Sequence, residues 1–232
     1  MTSPLVSASV TSIQPLTETV FRIELQLDEA VPFAAGQYLQ ICLTNQMRRP
    51  FSIACAPGSQ RLELHIGASA RDSKAMEVIH YLQVHPQLTL ELPLGNAFLR
   101  DSERPLLLLV GGTGFAYAKS IIEQALVHQP QRQMVLYWGG RHRDALYLND
   151  LAESWARNHP QFRYQPVLDE APQGWPGLQG RVHEVLIRHE PQLAGCDIYV
   201  AGPFDMAAAA RTALFATGLP ASQLFGDAYA FI

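Results

Sequence analysis

The chain has 232 residues, with 17 Lys and Arg against 21 Asp and Glu, for a net charge of −4. That acidic balance argues against a general binder of nucleic acid or anionic membranes, which would carry a basic face. A hydrophobic content of 48% with 16% charged residues is enough to bury the core of one large domain or two ordinary ones.

The first hundred residues alternate with the period of two expected of antiparallel strands. Val20-Phe21-Arg22-Ile23-Glu24-Leu25 sets Val20, Arg22 and Glu24 on one face and Phe21, Ile23 and Leu25 on the other. Further strands are predicted over residues 5–11, 38–43, 50–54, 62–67 and 88–92. Turn chemistry at Ala35-Gly36 and Pro57-Gly58-Ser59 separates them. One helix interrupts over residues 73–84, with Ala75, Met76, Ile79 and Leu82 along one side. Six strands and one helix predict a small closed antiparallel β-barrel.

After Arg100 the pattern changes. Strands are predicted over 106–110, 134–138, 162–167 and 198–201, and helices over 116–128, 148–158, 182–188 and 204–217. Short aliphatic strands alternating with helices predict an α/β domain with a parallel sheet covered on both faces. The polar segment Asp101-Ser102-Glu103-Arg104-Pro105 places the boundary, giving domains 1–100 and 101–232.

Three segments carry chemistry. Val110-Gly111-Gly112-Thr113-Gly114 runs from a strand through glycines into a helix. Its backbone N–H groups and the positive helix end can approach a ligand's phosphates. Ala201-Gly202-Pro203 also follows a strand and precedes a helix, so a flat ligand can reach the strand end. Arg49-Pro50-Phe51-Ser52 is held extended by its proline, with Arg49 and Phe51 on one side and Ser52 on the other. Taken singly, the first two also fit ordinary tight turns. The third also fits a plain strand with Phe51 in the core, Arg49 solvated and Ser52 bonded to backbone.

Cys42, Cys55 and Cys196 are widely spaced, which favours reduced thiols over a disulfide framework or a zinc site. The N-terminal residues carry no signal-peptide pattern and the longest apolar run is too short to span a bilayer, so a bacterial-type cytosol is the expected setting. The histidines lack metal-ligand spacing, and no metal is expected. No Gly-x-Ser-x-Gly elbow or Cys-x-x-Cys pair supports a serine hydrolase or an iron–sulfur module.

Phe33-Ala34-Ala35-Gly36-Gln37-Tyr38, Arg49-Pro50-Phe51-Ser52, the Gly-Gly-Thr-Gly loop and Ala-Gly-Pro-x-x-Met occur in this order and spacing. Together they resemble the ferredoxin–NADP reductase superfamily, and within it the bacterial NAD(P)H–flavin oxidoreductases. His65-Ile66-Gly67-Ala68-Ser69, Tyr137-Trp138-Gly139-Gly140-Arg141 and the ending Leu224 to Ile232 extend the likeness from about residue 5 to the C-terminus.

The resemblance implies a flavin-binding barrel, a nucleotide-binding α/β domain and a flavin ring in the cleft between them. It puts Arg49 by the flavin's ribityl or phosphate side and Phe51 along the ring, with Pro50 also among the flavin-binding residues. Ser52 would be hydrogen-bonded near N5, the atom that receives hydride. Backbone at Ile66, Gly67 and Ser69 would frame the ring. Gly111, Gly112, Thr113 and Gly114 would hold the nicotinamide nucleotide, beside Gly202, Pro203, Phe204 and Met206.

Two departures from the family pattern bear on mechanism. Members that hold FAD tightly start a helix with Gly-x-x-Ser to cap the pyrophosphate. Here Arg71-Asp72-Ser73-Lys74 lacks that glycine, and Asp72 repels phosphate. Flavin is therefore expected to be a loosely held substrate, riboflavin or FMN, reduced by NADH or NADPH. Ala201 stands where many relatives have a cysteine near nicotinamide C4. Its absence removes a positioning contact but no obligatory acid or base.

Arg141-His142-Arg143 offers cations to a 2′-phosphate, which favours NADPH, and also fits a solvated basic loop; no acidic residue appears there for a free 2′-hydroxyl, and both nucleotides are expected to be used. The expected products are NAD(P)⁺ and reduced flavin, which can pass to ferric iron, cobalamin or an oxygenase. The expected state is a monomer or weak dimer, with small molecules as partners and no nucleic acid or membrane. Two rival readings are a reductase with a resident flavin serving a protein partner, and a non-catalytic flavin- or nucleotide-binding regulator.

Overall fold

The computed structural model describes residues 3–44, 46–68 and 73–232. Strands β1 (Leu5–Pro15), β2 (Val20–Leu27), β3 (Tyr38–Cys42), β4 (Arg48–Ser52), β5 (Arg61–Gly67) and β6 (Gln87–Leu94) form one antiparallel sheet. Its order is β4-β3-β6-β1-β2-β5. Alternation drives it: Ile23, Leu25, Leu27, Leu39, Ile41, Leu62, Leu64, Leu88 and Leu90 all point into one core. Helix α1 (Ser73–Val84) lays Val78, Ile79 and Leu82 on that core.

The fourth strand differs from expectation. It begins at Arg48 and ends at Ser52, and does not run over 50–54. Ile53 and Ala54 instead turn toward β5, where Ile53 bridges Leu64 and the Ala54 N–H donates to the Glu63 carbonyl at 2.7 Å. Those two residues are used to close the barrel, so they are lost to the β3–β4 ladder.

The second sheet is parallel throughout, in the order β10-β9-β8-β7-β11-β12. Its strands are β7 (Leu106–Gly111), β8 (Met134–Gly140), β9 (Phe162–Leu168), β10 (Leu178–Gln179), β11 (Asp197–Ala201) and β12 (Leu224–Phe225). The two-residue strands β10 and β12 escaped the sequence reading because two residues carry no periodicity.

Leu106, Leu108 and Val110 face α2 (Phe115–His128) and α3 (Asn149–Asn158). Leu107 and Leu109 face α4 (Val182–His189) and α5 (Phe204–Ala216). An all-buried strand with helices on both sides explains the continuous aliphatic run.

Chain direction of travel reverses across the sheet at β7, which has β8 on one side and β11 on the other. Ligands of open α/β sheets collect at the carboxyl ends beside such a switch point. Helix α2 also packs against the barrel half of the molecule. Its Tyr117 and Ile121 pack near Gly36, and the cluster around it takes in Ala35 and Ala97 from the barrel.

Candidate active site

At the end of β7, Gly112 to Gly114 make one 3-10 turn that leads into α2. Gly112 has φ +52°, and a Cβ placed there would meet nothing within 4 Å. Glycine is favoured there by the backbone, and the space beside it is open to a ligand. Gly114 is a glycine for a different reason: a Cβ would lie 2.3 Å from the Ala201 carbonyl oxygen. The turn is thereby pressed against the end of β11. Gly202 in turn lies against Gly111 backbone, and Met206 Sδ sits 2.6 Å from where a Gly111 Cβ would be.

These loops bound a cleft of about 560 Å³ lined by Gly111, Gly112, Arg141, Pro203 and Met206, among others. A second cleft of about 970 Å³ lies between the two lobes, lined by Gly67, Gly112, Thr113, Arg141 and Tyr147. The two share Gly112, Arg141 and Ala145. Barrel and glycine turn meet at Gly67, where a Cβ would be 3.1 Å from Thr113 Cγ2. Ile66 turns its side chain into the barrel core, leaving only backbone to a ligand. Phe204 is 58% exposed at the head of α5, facing Phe231 at 6.4 Å between ring centroids, and is not among the lining residues of either cleft. Ser69, Arg71 and Asp72 fall outside the described residues.

None of Arg49, Pro50, Phe51 and Ser52 is among the lining residues of either cleft. Arg49 and Phe51 are half-buried while Arg48 and Pro50 are exposed, the alternation of an extended strand. Phe51 packs against the barrel core and keeps part of its surface free. Arg48 pairs with Glu91, but among the described residues Arg49 has no carboxylate partner. Ser52 pairs with Tyr38 along the ladder, and among the described residues its hydroxyl has no hydrogen-bond partner. Among the described residues, a cation with no carboxylate partner, a partly free aromatic face and an unpartnered hydroxyl on one strand fit a flavin's phosphate or ribityl chain, ring and polar ring edge.

Tyr38 leads to a residue that the sequence reading had not singled out. It lines a cavity of about 330 Å³ with Gly95, Asn96 and the C-terminal Asp227, Tyr229 and Phe231. The Asp227 carboxylate accepts from the Asn96 N–H at 2.9 Å and the Ala97 N–H at 3.2 Å. Burial pushes its pKa up, against those two bonds. Gly226-Asp227 directly after a short strand was the available signal, but only the fold brings the C-terminus to the barrel.

The lobes are joined by buried polar groups. The Lys119 ammonium on α2 donates to the Ala54 carbonyl at 3.0 Å and reaches Glu63 at 3.1 Å and Glu123 at 2.8 Å. His65 Nε2 lies 2.6 Å from Glu63 and its Nδ1 lies 2.9 Å from the Tyr147 hydroxyl. Burial alone would raise the Glu63 carboxyl, but the His65 hydrogen bond and the Lys119 charge outweigh it and hold it at about 2. Burial lowers His65, so it is neutral, donating to Glu63 from Nε2 and accepting from Tyr147 at Nδ1. Ser120 Oγ adds a bond to the Cys55 carbonyl at 2.7 Å. Among the described residues no three His, Cys, Asp or Glu side chains gather as a metal would need, and no helix is long and apolar enough to cross a membrane.

One expectation about the basic segment needs correcting. An acidic residue does stand there: Arg141 Nε donates to Glu170, two residues past the end of β9, at 2.7 Å. The acid is 29 residues away in sequence and reaches the spot only because β8 and β9 are neighbours.

An antiparallel barrel docked on a parallel sheet, with a glycine turn at the sheet's switch point facing the barrel, defines a ferredoxin-reductase-like two-domain fold. The ferredoxin NADP⁺ reductase of Neisseria gonorrhoeae, with FAD and NADP bound, superposes with a TM-score of 0.81 over 96% of this chain and 97% of that one, at 19% identity. The model for the oxidoreductase NAD-binding domain matches residues 108–212. The NAD(P)H-flavin reductase of Aliivibrio fischeri is 41% identical, covering 98% of this chain and 99% of the relative. That of Vibrio harveyi is 38% identical with the same coverage. The chain belongs to this family of NAD(P)H-flavin reductases.

Proposed function

We propose that this chain reduces free flavin with NADH or NADPH, and that flavin comes and goes as a substrate. The observation that carries the reading is the contact of Gly67 with Thr113, which sets the sheet's glycine turn against the barrel wall. A ring held by the barrel and a ring held by the sheet then share one cleft. Nicotinamide supplies the hydride and flavin accepts it, so the protein's work is to bind, orient and exclude water.

In this reading residues 1–100 form the flavin domain and 101–232 the nucleotide domain, consistent with β6 ending at Leu94 and β7 beginning at Leu106. Gly111 to Gly114 and Gly202 to Met206 hold the nucleotide, with Pro203 and Met206 forming one wall. Phe204 contributes at the outer edge. Arg49, Pro50 and Phe51 seat the flavin, and backbone at Ile66, Gly67 and Ser69 frames it. Ser52, whose hydroxyl has no hydrogen-bond partner among the described residues, donates to the flavin edge that gains charge on reduction. Ser52→Ala should lower kcat with riboflavin about 10- to 100-fold with little change in Tm. An unchanged kcat would remove Ser52 from the mechanism.

Weak flavin retention is supported by the missing glycine at residues 71–74 and by the acid Asp72. Steady-state oxidation of NADH and NADPH with riboflavin, FMN and FAD tests it: efficiency should fall as phosphate and then AMP are added to the flavin. A protein that keeps stoichiometric flavin through gel filtration contradicts it, and the same column reports the expected monomer or weak dimer. Released dihydroflavin is a two-electron donor suited to ferric or cobalamin complexes or to an oxygenase. Free thiols at Cys42, Cys55 and Cys196 fit a reducing compartment such as the cytosol.

A further inference from the structure

If the 560 Å³ cleft holds a nicotinamide nucleotide, as the proposed function has it, NADH and NADPH present it with ligands that differ by one 2′-phosphate. In dinucleotide-binding α/β folds the 2′ position is read near the end of the strand next to the glycine turn. Here that strand is β8, paired with β7 up to Gly139 opposite Gly111. Arg141 follows directly, exposed, and lines both clefts.

Arg141 is already engaged. Its Nε donates to Glu170 Oε1 at 2.7 Å, and the other carboxylate oxygen lies 3.7 Å from His142 Nε2. The pairing is built by backbone, since the Asp169 N–H donates to the Gly140 carbonyl at 3.0 Å and the Glu170 N–H to the Arg141 carbonyl at 3.1 Å. These bonds zip the outgoing ends of β8 and β9 together and hold the carboxylate opposite the guanidinium. The other charges lining the cleft are Arg181, Asp169 and Asp205. Among the described residues none of these three ion-pairs with Arg141.

We propose that Glu170 sets the nucleotide preference by occupying Arg141, so that the cleft favours NADH over NADPH. A 2′-phosphate must displace the carboxylate and then sit beside its charge, whereas a 2′-hydroxyl need do neither. The Arg141 bond also keeps the Glu170 carboxyl below its usual range.

The test compares 2′,5′-ADP with 5′-AMP, which differ only in the 2′-phosphate, by calorimetric binding to the whole protein. The unaltered chain should bind 2′,5′-ADP no more tightly than 5′-AMP. Glu170→Gln should tighten 2′,5′-ADP about tenfold and leave 5′-AMP within about twofold. The gain should vanish when Arg141→Ala is added. Turnover with NADPH should improve in parallel, with NADH unchanged.

If Glu170→Gln leaves the ratio of the two affinities unchanged while 5′-AMP binds and NADH still reduces riboflavin, the role of Glu170 is overturned and the functional reading stands. An equal gain for both probes also overturns it, because the effect would then be general charge. If neither probe binds and NADH oxidation with riboflavin stays at background, the nucleotide reading of the cleft falls first, and this preference with it.

Discussion

At the seam between barrel and sheet, Glu63, His65, Lys119 and Glu123 satisfy one another. Along the rim of the nucleotide cleft, Arg141 has one carboxylate partner and Arg181 has none among the described residues. Both places set cations near carboxylates, and the environments are opposite. At the seam the His65 side chain is fully buried and that of Lys119 is 7% exposed, so an unpaired charge there would cost several kcal/mol. The Arg141 side chain is 73% exposed, and water covers whatever the protein leaves unpaired. The seam's charges therefore fix how the lobes dock, while on the rim Glu170 holds Arg141 and Arg181 is left to a ligand.

The largest effect should come where cleft and packing coincide. Gly114→Ala drives a methyl into the Ala201 carbonyl, which is backbone and cannot swing aside. A loss of about 3 kcal/mol in urea unfolding is expected, with NADH oxidation largely abolished. A variant of normal stability and rate would mean that the turn does not press on β11.

Breaking the seam comes next. Glu63→Gln should cost about 2 kcal/mol, read as a lower Tm at neutral pH. The sign of its pH dependence follows from a carboxyl at about 2 in the folded protein against 4.5 as a model value. The contribution is fully present above 4.5 and is lost as pH falls from 4.5 toward 2. Thermal melts of the two proteins should therefore converge over that window. A constant gap would show that the carboxylate's charge is not what stabilises the seam.

The rim should respond least in stability and most in binding. Arg181→Ala is expected to raise KM for both nucleotides a few-fold, about 0.5–1 kcal/mol, with Tm unchanged within about 1 °C. A shift in Tm with no change in KM would place Arg181 with the structural charges.

Both sheets were legible because their patterns are long. Alternation in β2 and the continuous run Leu106 to Val110 each specify which faces are buried before any fold is known. Strand β4 was misplaced by two residues because Ile53 and Ala54 have strand chemistry but pair with β5. The glycine turn and the Ala201-Gly202-Pro203 loop were visible as strand–turn–helix junctions. Their convergence was not, since it depends on β7 and β11 being neighbours.

Sequence alone determined a barrel followed by an α/β sheet, the glycine turn at the end of the first parallel strand, and an acidic chain with widely spaced cysteines. These are local properties of periodicity and composition, carried by neighbouring residues. Only tertiary structure decided that Gly112 is open while Gly114 is packed, although only Thr113 separates the two in one turn. It also brought Asp227 to the barrel, Lys119 to Glu63, and Glu170 to Arg141. Each of these pairs is distant in sequence. Coulomb and steric forces act through space, and only the register of the sheets brings those partners within reach.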